Sequence, residues 1–189
     1  MVTVGGPEVM LLGALLAGLA CALLGLGLAR LGAERPWAVA GLLWSVVVIG
    51  LVTLLPTDGS PGWIPIEDAQ DACSYDYGGP APEGFWIFGG GQRLLNTLLF
   101  VPAGMFLAVA TLRRGTWWLA VPGLLALAAY SVVIEMVQLE LTRLYRACDV
   151  TDIVDNVTGA LIGFGIGILV AAVLGLGRRR TPTARHPRG

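Results

Sequence analysis

Five separate stretches of this chain pass the length of about 20 predominantly apolar residues that an α-helix needs to cross the hydrocarbon core of a bilayer. They cover approximately 9–29, 37–55, 94–112, 117–139 and 153–176. A backbone placed in hydrocarbon must satisfy its own N–H and C=O groups, so segments of this kind fold as helices. Composition agrees: 56% of the 189 residues are hydrophobic and 13% are charged, about half the charged fraction of an ordinary soluble domain. The expected fold class is therefore all-α, a polytopic membrane protein of five transmembrane helices. The N-terminal segment carries Glu8 and no basic residue ahead of its apolar run. It lacks the positive region of a secretory signal and reads as the first transmembrane helix.

Arginine placement sets the expected orientation. The chain has twelve basic residues, all arginine. Arg30, Arg35, Arg113, Arg114, Arg178, Arg179, Arg180, Arg185 and Arg188 fall on one side of the membrane, and Arg93, Arg143 and Arg146 on the other. The nine mark the cytoplasm, so the N-terminus is expected outside and the C-terminus inside. Residues 1–177 then form the transmembrane domain, 56–93 a long extracytoplasmic loop rich in Gly, Pro and acids, and 178–189 a basic cytoplasmic tail suited to anionic headgroups. Trp117 and Trp118 read as interfacial anchors on the cytoplasmic side. Cys73 and Cys148 both fall outside, where disulfides persist, and a bridge between them is one open arrangement; Cys21 lies in the membrane. A net charge of −1 gives no basic face for nucleic acid.

Ionisable groups inside a membrane are costly, about 2.5–3.5 kcal/mol for an Asp near the centre, and they mark sites or partners. In the third segment Arg93, Asn96, Phe100 and Gly104 share one helical face, and in the fourth Ser131, Glu135 and Gln138 do so. Helix carried back through the charged entrance of the fifth places Asp149, Asp152, Asn156 and Gly159 together. With the expected orientation all three faces gather at the extracytoplasmic end. The candidate ligand-binding residues are Asn96, Glu135, Gln138, Arg146, Asp149, Asp152 and Asn156. Asp149 or Asp152 also suits an ordinary helix N-cap. Pro102 interrupts the hydrogen bonding of the third helix, and Gly159, Gly163, Gly165 and Gly167 suit close helix packing.

Three fragments in order, NTLLFVPAG at 96–104, SVVIEMVQ at 131–138 and R-x-x-D-x-x-D-x-x-x-N-x-x-G from Arg146 to Gly159, resemble VanZ-like membrane proteins. WIPI at 63–66 adds a weaker likeness, so the motif core runs over 63–166; Asp155 is outside the pattern. The resemblance covers about 90 residues, from the third helix to the middle of the fifth. It implies a multi-pass protein of the cell membrane, associated with the cell envelope and with resistance to the lipoglycopeptide teicoplanin, and assigns no proven role to any motif residue.

Three functions fit these residues. The first is binding of a lipid headgroup or glycopeptide at the outer leaflet. Arg146 would meet a phosphate there, with the amides on sugar or amide groups, and the carboxylates would attract a cationic group or a hard divalent cation. The second is an intramembrane enzyme acting on a lipid-linked cell-wall precursor, with Glu135 as general base and Asp149 and Asp152 as metal ligands. No base–nucleophile pair accompanies them, and the reading leans away from catalysis. The third is a flippase using Glu135 for proton coupling. No resident cofactor or metal is expected; membrane lipid or a lipid-linked precursor is the expected partner, and a homo-oligomer is compatible.

Overall fold

A computed structural model describes residues 6–56, 72–74, 91–113, 115–140 and 148–179, without the side chains beyond 175. Five helices organise them: α1 (Pro7–Arg30), α2 (Pro36–Leu54), α3 (Gln92–Thr111), α4 (Ala120–Glu140) and α5 (Val150–Arg179). All are long and apolar enough to span a membrane; the fourth span includes the 3₁₀ turn Trp117–Leu119 that leads into α4. The segments expected from hydropathy coincide with these helices to within about three residues at each end, the usual uncertainty of a boundary read from sequence. Pro7 and Pro36 sit at the first positions of α1 and α2, where the missing N–H has no intrahelical partner to lose. Hydroxyls inside the helices satisfy themselves locally: Ser45, Thr53, Thr97, Thr111 and Thr158 each donate to the carbonyl four residues earlier.

The helices stack in a definite register. The Trp44 indole donates to the Ala14 carbonyl at 2.9 Å and Gly25 lies under the Trp37 ring, so α1 and α2 are antiparallel. The Tyr130 hydroxyl of α4 donates to Val46 of α2 at 3.0 Å and occupies the space that Gly50 leaves open. Ile49, Phe100, Ala103, Leu107, Leu127, Ile134 and Ala160 form the buried core between α2, α3, α4 and α5. Helix α1 lies outside that core; Gly25 is its only buried position among the described residues.

The closest pair is α3 and α5. A Cβ built on Gly159, Gly163 or Gly167 would run into the carbonyl oxygens of Thr97, Val101 and Met105 respectively, and one on Gly104 into that of Ala160. Partners advance by one turn on both helices in the same direction, so α3 and α5 run parallel with their backbones touching. Small residues permit this approach, and apolar interiors of membrane proteins depend on such packing. Gly165 departs from the expected packing role: a Cβ there meets nothing within 4 Å and the residue is exposed, because its position turns away from the stripe that α3 covers. Pro102 sits inside an α3 that continues past it to Thr111.

Candidate functional site

One end of the bundle collects the starts of α3 and α5 and the finish of α4. The α3–α5 glycine stripe continues into it: one turn before Thr97 and Gly159, Arg93 faces Asp155. Arg93 Nε donates to Asp155 Oδ2 and Nη2 to Oδ1, each at 2.9 Å, a two-pronged pairing. Asp155 is entirely inaccessible, while Arg93 keeps part of its surface exposed. A carboxylate in that position is tolerable only because the guanidinium neutralises it and fixes both oxygens.

Around this pair the other polar groups take defined partners. Asp149 precedes the first residue of α5 and its Oδ1 accepts the Thr151 N–H at 2.8 Å, so it caps the helix. The Asp149 backbone N–H donates to Glu135 Oε2 of α4 at 3.1 Å. Glu135 is buried at 2% exposure. Asp152, half-buried in the first turn of α5, accepts from Gln92 Nε2 of α3 at 3.3 Å. Asn156 is buried and donates from Nδ2 to Ser131 Oγ of α4 at 3.0 Å. Gln138, also buried, donates from Nε2 to the Thr53 carbonyl at 2.9 Å; it ties α4 to the end of α2 instead of turning to the acids. Asn96 faces Asp152 from α3, with its Nδ2 beside that carboxylate but short of full hydrogen-bond geometry. Arg143 and Arg146 lie outside the described residues, as do WIPI at 63–66 and residues 180–189 of the basic tail; its first two residues, Arg178 and Arg179, continue α5.

A disulfide closes over this end. Cys73 is bonded to Cys148, with Cα atoms 4.6 Å apart. Ser74 beside it donates to the Cys148 carbonyl at 2.9 Å and accepts from the Val150 N–H at 3.0 Å, forming a parallel bridge with Asp149. The first N–H groups of α5 would otherwise be orphans; the Ser74 carbonyl and the Asp149 carboxylate take two of them. The opposite end is different in kind. There Arg35 donates to the Val109 carbonyl, Arg113 pairs with Glu34, and Trp117 and Trp118 are 68% and 59% exposed.

The structure thus places Asn96, Glu135, Asp149, Asp152 and Asn156 at one end, with Gln138 at the same level but engaged with α2. It adds two residues that the motif reading left out, Asp155 and Gln92. The signal for Asp155 lies in its spacing, readable once α3 and α5 are set in parallel register: it starts the stripe Asp155, Gly159, Gly163, Gly167, and Arg93 starts the matching stripe on α3. No group of three or more His, Cys, Asp or Glu side chains among the described residues is arranged to hold a metal ion.

Helices of this length and apolarity, with hydroxyls bonded back to their own backbone and a cluster of acids at one end, are those of a helical membrane protein. The VanZ/LLP1 family profile matches residues 36–171, taking in α2 and extending well beyond the motif fragments. The chain belongs to that family. No curated protein and no solved structure matches it.

Proposed function

We propose that the polar end faces the outside of the cell membrane and binds a polar headgroup there. Its ligand would be a membrane lipid, a lipid-linked cell-wall precursor or a lipoglycopeptide of the teicoplanin type. The observation that carries this reading is the convergence of acid- and amide-bearing faces from α3, α4 and α5 on the end that also holds the Cys73–Cys148 disulfide. Disulfides form and persist in oxidising compartments, which favours the exterior for that end. The arginine distribution favours the same orientation, because nine of the twelve arginines belong to the opposite side. In that orientation buried side chains such as Glu135 and Asn156 would sit close to the level where headgroups meet acyl chains, which suits a ligand whose tail stays in lipid.

Much of the polarity supports the helices themselves, as the Asp149 cap and the Arg93–Asp155 pair do. The binding role therefore rests on Glu135, Asp152, Asn96 and Asn156, with Arg146 as the cationic partner for a phosphate. Native mass spectrometry of the detergent-extracted protein tests the proposal. Wild type should carry a headgroup lipid through repeated delipidation, and Glu135→Gln should lose it while melting at the same temperature. Equal retention by the two proteins would remove Glu135 from the site.

A further inference from the structure

Among the described residues, two carboxamides at the polar end keep buried atoms without hydrogen-bond partners. Asn156 is 3% exposed; its Nδ2 is used by Ser131, and its Oδ1 has no hydrogen-bond partner among the described residues. The buried Nδ2 of Asn96 is in the same condition. Both border Asp152: Asn96 faces it from α3, and Asn156 follows it by one turn on α5. Neighbouring donors are committed elsewhere, Gln92 to Asp152, Thr97 to the Arg93 carbonyl and the Thr151 N–H to Asp149. Buried polar atoms in proteins are almost always satisfied, and each exception calls for a specific reason.

We infer that the subsite bounded by Asn96, Asp152 and Asn156 takes the hydroxyl groups of a sugar or glycerol unit in a lipid headgroup. The inference rests on the headgroup-binding reading and narrows it to a ligand class. A hydroxyl donates one hydrogen bond and accepts two. It serves the acceptor of Asn156, the donor of Asn96 and the carboxylate of Asp152 alike. It also serves Asn156 with the carboxamide turned over, since either orientation leaves one polar atom unpaired beside Ser131. Phosphate oxygens only accept, and here they would meet the carboxylates of Asp149, Asp152 and Glu135. An ammonium only donates, and leaves the Asn96 Nδ2 unpaired. As a single group the hydroxyl alone answers both orphaned atoms; a zwitterionic headgroup needs two groups to do so and brings its phosphate among the carboxylates.

The test is competition between lipids of identical acyl chains on the full-length purified protein, read by native mass spectrometry. The probes are monoglucosyl diacylglycerol, phosphatidylglycerol, phosphatidylethanolamine and phosphatidic acid. The two hydroxyl-bearing lipids should each be preferred about tenfold over the other two, the effect of one buried hydrogen bond regained. Their order relative to each other tells a sugar from a glycerol source. Asn156→Leu and Asn96→Leu should each reduce that preference to about threefold or less. The selectivity of the unmodified protein decides the matter even where a variant misfolds. Binding without preference for hydroxyls, still lost in Glu135→Gln, would overturn this inference and leave headgroup binding intact. Absence of binding by all four lipids would overturn both.

Discussion

Substitution of Gly163 by alanine should separate α3 from α5. The new Cβ would lie 2.7 Å from the carbonyl carbon of Val101 and 2.9 Å from its Cα, and nearer still to the oxygen. All three are backbone atoms, so no side chain can swing away, and the helices themselves must part by about an ångström or more. A gap of about 0.5–1 Å forfeits roughly a quarter to a half of the dispersion attraction of the atoms it separates. Overpacking of this kind typically costs about 1–3 kcal/mol. The damage extends along the interface, because Arg93 and Asp155 hold the same register two turns away. Gly165→Ala supplies the control on the same helix. Its Cβ meets nothing within 4 Å, and alanine gains up to about 1 kcal/mol of helix propensity over glycine. Equilibrium unfolding in mixed detergent micelles, followed by tryptophan fluorescence, should place Gly163→Ala well below wild type and Gly165→Ala at or above it. Equal midpoints for the two variants would refute the backbone-contact reading of the glycine stripe.

Other expectations follow from the polar end. Arg93→Met leaves the inaccessible Asp155 carboxylate without its guanidinium and should destabilise by about 3–5 kcal/mol, whereas the double replacement Arg93→Met with Asp155→Leu should recover most of that loss; a double-mutant cycle in the same micelles measures the coupling. Cys148→Ser frees residues 72–74 from the start of α5 and should increase hydrogen exchange at the Val150 and Thr151 amides, with α3 protection unchanged. In a susceptible host, expression of the wild type should lower teicoplanin sensitivity, and Glu135→Gln should return it to the vector level in a susceptibility assay.

The sequence carried the fold through hydropathy alone, because water-to-lipid transfer dominates every other preference over stretches of this length. It also carried the grouping of polar faces, since Ser131, Glu135 and Gln138 repeat at helical spacing and all three are buried. Pairwise choices were less legible. Helical spacing placed Gln138 on the face of Glu135 but could not reveal that its amide reaches the Thr53 carbonyl of α2. Asp149 read equally as cap and as ligand, and only the Thr151 N–H pointing at its Oδ1 shows the cap in use. Asp155 fell outside the motif pattern and proves to be the partner of Arg93; the aligned stripes on α3 and α5 held that information, but only once their parallel register was known. Cys73 and Cys148 were compatible with a bridge, and the bridge needed the fold to bring their Cα atoms together.

Headgroup binding at the outer leaflet requires the polar end to lie outside the cell, and side-selective labelling of the native cysteines tests this most directly. In a Cys21→Ala background, intact cells would be treated with a membrane-impermeant maleimide before and after an impermeant phosphine reductant. Cys73 and Cys148 should take up label only after reduction and without any permeabilisation of the cells. Label that enters only once the membrane has been opened would place the acids and amides on the cytoplasmic face and contradict the account.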